Sequence, residues 1–166
     1  DLNLVMDYWG KNVKRTYHHT APVNSLYALH ESLLILKEEG IEAAWQRHLH
    51  HHQALVIGLE ALGLELLVDK DIRLPQLNAV KIPEGIDDAQ TRTTLLNEFD
   101  LELGAGLGKF AGNAWRIGLM GNGCSQKNVT YCIASLGTTL KEQGFDCNTE
   151  LALEAIQAFY SSNQPV

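Results

Sequence analysis

Three short stretches carry the residues best equipped for chemistry. Arg116 stands in Trp-Arg-Ile-Gly-Leu-Met-Gly (115–121), inside an apolar run that reads as a strand. A strand alternates faces, so Trp115 and Ile117 share a face that Arg116 does not. A guanidinium in such a place wants a carboxylate or phosphate, because a buried unpaired charge is costly. A bound ligand, an internal acid or a solvated face would each satisfy it. In the second stretch, Tyr17-His18-His19-Thr20 precedes an apolar helical pattern. Thr20 suits the N-cap position, with Pro22 in the first turn. The free N–H groups and positive dipole end of that helix would attract an anion, and Tyr17 can turn its phenol to the same place. A plain N-cap explains Thr20 at least as well. In the third, His48 and His52 are spaced i, i+4 beside His51, a spacing that can hold a transition metal. No carboxylate follows as in a zinc-protease helix, and Trp45 and Leu55 share the stripe, so packing or interface roles account for the histidines. No metal site is expected.

Gly106, Gly108 and Ala111 also satisfy the pattern G-x-G-x-x-A. That fingerprint must open a helix, where free N–H groups meet a pyrophosphate. Here the next element reads as a strand, so a flexible loop that can lie over a ligand is the better reading.

The elements that must position these residues follow from periodicity. Residues 1–19 form a short helical or irregular lead-in. Val23, Leu26, Tyr27, His30, Leu33 and Leu34 recur at helical spacing up to Gly40. A second helix follows at once, with Ile41, Ala44, Trp45, His48, His52, Leu55, Val56, Leu59 and Leu62 on its inner stripe, and Gly63 stops it. Short β-like runs occupy 64–69 and 77–83, the latter closed by Pro83-Glu84-Gly85. Asp87 and Asp88 open a helix reaching Phe99. Strands are expected at 101–106 and 114–119, then helices from Ser125 to about Gln143 and from Thr149 to Tyr160. The order α-α-β-β-α-β-β-α-α predicts a two-layer α/β sandwich: a mixed or antiparallel sheet with helices on one side.

Composition narrows the classes. The 166 residues are 45% hydrophobic and 20% charged, which suits one folded domain with a real core. A net charge of −7 argues against nucleic-acid binding, which rests on Lys and Arg neutralising phosphates. No apolar run approaches the roughly 20 residues of a membrane helix. Cys124, Cys132 and Cys147 have neither metal nor redox spacing and read as reduced thiols of a cytoplasmic protein. The chain opens at Asp1 without an initiator methionine or a signal-peptide pattern, as if cut from something longer.

Taken in order, "YHHTAPVNSLYALHESL" (17–33), "LPQLNAVKIP" (74–83) and "GAGLGKFAGNAWRIGLMG" (104–121) resemble the alanine–glyoxylate and serine–pyruvate aminotransferases. These are class V enzymes that depend on pyridoxal 5'-phosphate. The resemblance covers about residues 1–143. It implies the C-terminal part of such an enzyme, with the small C-terminal domain of the type I pyridoxal-phosphate fold. Residues 1–39 would be the end of the large domain and a linking helix. Residues 40–143 would be the small domain, and 144–166 a helical extension and tail. It further implies a homodimer in which Tyr17 and Thr20 reach across to the cofactor phosphate of the other subunit. Arg116 would bind the substrate α-carboxylate. The reaction implied moves an amino group from alanine or serine to glyoxylate or another 2-oxo acid.

Two departures temper the carry-over. The family's Schiff-base lysine lies in a Ser-Gln-Lys motif well before the Tyr-His-His-Thr stretch. Here Ser125-Gln126-Lys127 follows the arginine strand, so Lys127 is expected to be an ordinary first-turn residue. The true lysine would precede Asp1, so no catalytic residue is expected within these 166, and they would be inactive alone. Gln-Pro-Val at the end is not a peroxisomal address. The rival reading is a non-catalytic α/β regulatory or dimerisation module that binds a small carboxylate. A related desulfurase is less favoured, because no cysteine has a mobile-loop context suited to a persulfide.

Overall fold

The fold comes from a computed structural model that describes residues 1–9, 14 and 16–163. They form two compact units, Asp1–Ile41 and Glu42–Val166.

The first unit holds α1 (Leu2–Trp9) and α2 (Val23–Glu39). Gly40, at φ 85°, ends α2 by donating its N–H to the Leu36 carbonyl, as its C-cap position in the sequence predicts. The helix start differs from expectation. Pro22, not Thr20, is the cap residue, and no side chain caps the helix. The chain folds back locally there, with the Val23 N–H donating to the Ala21 carbonyl at 2.8 Å. The Thr20 hydroxyl is taken up by Tyr17 instead. The helical spacing of Val23, Leu26, Tyr27, Leu33 and Leu34 holds, yet no residue of α2 is buried.

The second unit runs α3 (Ile41–Ala61), β1 (Leu77–Lys81), α4 (Asp88–Phe99), β2 (Gly104–Ala105), β3 (Ala114–Gly118), α5 (Gln126–Glu142) and α6 (Thr149–Ser162). Polar caps start its later helices where the sequence places them. Asp87 accepts from the Gln90 N–H at 2.7 Å, Ser125 from Asn128 at 3.3 Å and Asn148 from Leu151 at 3.0 Å. The sheet is antiparallel, in the order β1-β3-β2. Asn78 and Val80 lie opposite Ile117 and Trp115, and all four are buried on one face. Leu55 and Leu59 of α3, Ile133 and Leu136 of α5 and Ile156 of α6 belong to the same core cluster. One covered face and one face turned away from the core are what a two-layer sandwich requires.

Two expected strands contract. The run 64–69 supplies a single bridge, Leu66 to Val80, with Leu67 N–H to Ala79 O and Lys81 N–H to Glu65 O both at 2.8 Å. Beyond it the chain turns into a short 3₁₀ segment, Lys70–Ile72, so no further rungs form. The run 101–106 keeps only Gly104 and Ala105. Asp100, left-handed at φ 50°, closes α4, and Leu101 still donates back to the Leu95 carbonyl. At the other end Gly106 is clasped by the following turn. A Cβ there would fall 2.0 Å from the Phe110 carbonyl oxygen, a backbone atom that cannot swing aside. The glycine-rich loop is therefore tight at its first residue, and its Gly108–Phe110 segment is one 3₁₀ turn.

Gly106→Ala should accordingly destabilise the second unit by about 1–3 kcal/mol through overpacking. Chemical denaturation of the variant beside the parent protein measures this.

Candidate active site

The sheet face opposite the core carries the arginine. Arg116 is centred in β3, directly across from Ala79 of β1 on one side and Gly104 of β2 on the other. Both neighbours are small, so the long side chain has room to lie across the sheet. It is half-buried, and its Nε donates to the Ala105 carbonyl at 2.8 Å. Among the described residues no carboxylate pairs with it. Of the partners open to a strand arginine, an internal acid is therefore not the one this fold supplies.

The strand bearing Arg116 is braced from beneath. His52, on α3, places Nδ1 2.8 Å from Asn78 Oδ1, and Asn78 Nδ2 donates to the Ile117 carbonyl at 3.4 Å. Burial lowers the His52 pKa, the Asn78 hydrogen bond opposes that shift, and Arg73 lowers it further. A neutral imidazole is thus part of the sheet's support. The turn after β3 is gripped by two consecutive residues of α3. Arg47 Nη1 donates to the carbonyls of Gly121 (2.9 Å) and Cys124 (3.0 Å), and the Gly121 N–H donates to His48 Nε2 at 3.2 Å. His48 Nδ1 in turn lies 2.6 Å from the Ala44 carbonyl. His51 Nδ1 is 2.8 Å from Tyr160 Oη on α6. Each histidine of the i, i+4 pair is thus occupied by structural bonds. Among the described residues no group of three metal-ligating side chains occurs. The i, i+4 spacing reveals the shared helix side but not the remote partners Asn78, Gly121 and Tyr160, which only the chain's folding brings near. Trp45 and Ile41, expected on the inner stripe, are exposed.

In the first unit, Tyr17 and Thr20 come together: Tyr17 Oη and Thr20 Oγ1 are hydrogen-bonded to each other, and both residues are exposed. His18 and His19 pair through their Nδ1 atoms at 2.8 Å, and Tyr8 packs against the rings of Tyr17 and His19. Both hydroxyls are exposed, and with one O–H used between them the other is left free to donate, which suits an anion such as a phosphate. The remaining recognised feature, Lys127, is an exposed first-turn residue of α5. It borders a cavity of about 580 Å³ between α4, the end of β3 and α5, whose walls include Leu103, Ile117 and Leu119 but not Arg116. The three cysteines are free thiols, and burial pushes Cys132 up to about 12, so it is inert as a nucleophile. Among the described residues no helix is long and apolar enough to cross a membrane.

Comparison with known proteins places the chain in a family. No family profile matches the chain. It is 38% identical over 162 residues to the (S)-ureidoglycine–glyoxylate transaminase of Bacillus subtilis, covering 98% of this chain and 38% of that protein. The crystal structure of the Bacillus subtilis ureidoglycine–glyoxylate aminotransferase superposes with a TM-score of 0.88 at 38% identity, over 97% of this chain and 41% of that one. The alanine–glyoxylate aminotransferase of the cat, Felis catus, is 38% identical over 143 residues, covering 85% of this chain and 34% of its own length. The chain thus spans little more than a third of the curated relatives it matches. Fold and sequence together make it a homologue of the aminotransferases. Within that class it belongs with the class V enzymes of the alanine–glyoxylate and ureidoglycine–glyoxylate type. Homologous aminotransferases of this fold depend on pyridoxal phosphate.

His51, half-buried, and His52, buried, make stability depend on pH. His51 is lowered from 6.5 to about 4, chiefly by burial and then by the neighbouring His50, Arg47 and His48. The unfolded chain therefore binds a proton here at a higher pH than the folded one. Stability from this group is present above pH 6.5 and drains away as pH falls towards 4. His52, shifted the same way, adds to the trend. Thermal midpoints measured across that range should fall with acidification, and His51→Gln should fall less steeply.

Proposed function

We propose that these residues are the C-terminal portion of a pyridoxal-phosphate-dependent aminotransferase that delivers an amino group to glyoxylate or another 2-oxo acid. Glyoxylate is named as acceptor in both relatives described above. The donor is alanine or serine, or, given the longer match to the Bacillus protein, a ureido amino acid such as ureidoglycine. The enzyme acts as a homodimer. Its free thiols suit a reducing compartment, the cytoplasm.

The observation that carries this reading is Arg116: a half-buried guanidinium with no carboxylate paired to it among the described residues, on the sheet face away from the core and flanked by Ala79 and Gly104. A fixed fork in that setting is made for the carboxylate that every amino acid and 2-oxo acid substrate shares. Arg116 binds that carboxylate and orients the α-carbon towards the reacting centre, so a bimolecular encounter becomes a positioned one. Tyr17 and Thr20 hold the cofactor phosphate of the partner subunit through their hydroxyls. When bound, the cofactor supplies the electron sink for a carbanion α to the carboxylate. The lysine that anchors it lies outside these residues, so this portion contributes recognition rather than proton transfer. The large apolar side chains exposed on α2, Leu26, Leu29, Leu33 and Ile35 among them, support burial of this helix in the complete dimer.

Full-length enzyme carrying Arg116→Ala should lose about 30- to 700-fold in kcat/KM for glyoxylate, because removing one side of a hydrogen-bonded ion pair costs about 2–4 kcal/mol. Cofactor affinity should stay unchanged, as read by absorbance titration. Unaltered kinetics would refute the assignment. Tyr17→Phe and Thr20→Val should do the opposite. Each should weaken pyridoxal phosphate binding by about tenfold, one charge-assisted hydrogen bond, while KM for glyoxylate at saturating cofactor holds.

A further inference from the structure

Resting on the reading of Arg116 as the carboxylate fork, we infer that the two-residue strand β2 is the cradle that aims it, with Gly104 as its positioning residue. Gly104 lies directly opposite Arg116 in the antiparallel ladder. A methyl group on Gly104 would stand 3.3 Å from Arg116 Nη2 and 3.4 Å from both its Cβ and its Cζ. Three points along the side chain, from root to tip, therefore lie against one glycine. The neighbouring residue supplies the other restraint, since the Ala105 carbonyl accepts the Nε hydrogen at 2.8 Å.

Backbone geometry does not explain the glycine. Gly104 is absent from the left-handed residues of the chain, which include Gly40, Gly63, Gly108 and Gly121, so an L-residue could adopt its conformation without strain. A side chain there would meet the guanidinium at the tight edge of contact and could be seated only by pushing the fork aside by a few tenths of an ångström. The glycine is spatial, not conformational, and the space it leaves is occupied by the substrate-binding group.

The consequence is chemical. A guanidinium offers carboxylates two edges, the side formed by Nε and Nη2 and the end formed by Nη1 and Nη2. With Nε committed to Ala105 and Nη2 facing Gly104, the side edge is turned into the strand. The end edge is left for the substrate. β2 therefore selects an end-on carboxylate pair and fixes the direction from which a 2-oxo acid enters. A strand of only two residues suffices because one rung and one carbonyl do the aiming.

Steady-state kinetics of the full-length enzyme test this with Gly104→Ala and Gly104→Val. A displaced fork should raise KM for glyoxylate about tenfold in the alanine variant and further in the valine variant, with kcat changed less than KM. Pyridoxal phosphate affinity and thermal midpoint, which report on the cofactor site and the fold, should stay near the parent values for Gly104→Ala. Exchange of the Arg116 Nε–H, followed by NMR, should be slow in the parent and fast in Gly104→Val. Arg116→Lys is the companion measurement. If it raises KM while both Gly104 variants leave KM and Nε exchange unchanged, the cradle is overturned and the carboxylate role of Arg116 stands. If Arg116→Lys also leaves KM unchanged, both fall.

Discussion

The second unit is organised around the cost of placing a guanidinium within a sheet. Charge on an interior strand must be paired or given a route to a partner, and β3 meets that demand by geometry rather than by an internal acid. Alternation drives Trp115 and Ile117 into the core and leaves Arg116 on the other face. The strands on either side contribute Ala79 and Gly104 there, so the fork is confined without being covered. Among the described residues its internal hydrogen bond uses Nε, not the terminal nitrogens.

Much of the remaining architecture keeps that strand still. The core face is anchored by Trp115, which is fully buried and whose indole N–H donates to Asp88 at 3.0 Å, while Asp88 is itself held by Arg92 Nε at 2.8 Å. From the helix layer, His52 holds Asn78 of β1, which in turn bonds the Ile117 backbone, and Arg47 and His48 hold the turn that follows. One of these braces, His52, is an imidazole whose pKa is lowered by burial, so support of the sheet and sensitivity to acid meet in the same side chain. The last helix belongs to this support as well. Ala152, Ile156 and Tyr160 of α6 lie in the core cluster with α3 and α5, so α6 is structural in this unit.

In the proposed function the two regions singled out for ligand chemistry would serve different anions by different means. Arg116 offers fixed charge from a strand, with its direction set by neighbouring backbone. Tyr17 and Thr20 offer paired neutral hydroxyls on an exposed stretch ahead of α2. A substrate carboxylate arrives and leaves in every turnover and calls for orientation. A cofactor phosphate stays bound, and several hydroxyl and N–H contacts can hold it without a buried cation.

The sequence by itself determined the strongly local features. Helix positions, the caps at Asp87 and Ser125, the glycine stops at 40 and 63, and the alternation that separates Arg116 from Trp115 are all legible, because each depends on residues within a few positions of one another. The order of the three recognisable segments likewise needs no fold to be read. Tertiary structure decided the rest. It cut the run 64–69 to one bridge and β2 to two residues, since strand length depends on how many rungs a partner offers. It moved the start of α2 past Thr20 and gave that hydroxyl to Tyr17. It gave His48, His51 and His52 hydrogen-bond partners distant in the chain. Above all it laid Arg116 across Gly104, eleven residues from the carbonyl that aims it. Such contacts join residues far apart in the chain, and no spacing rule encodes them.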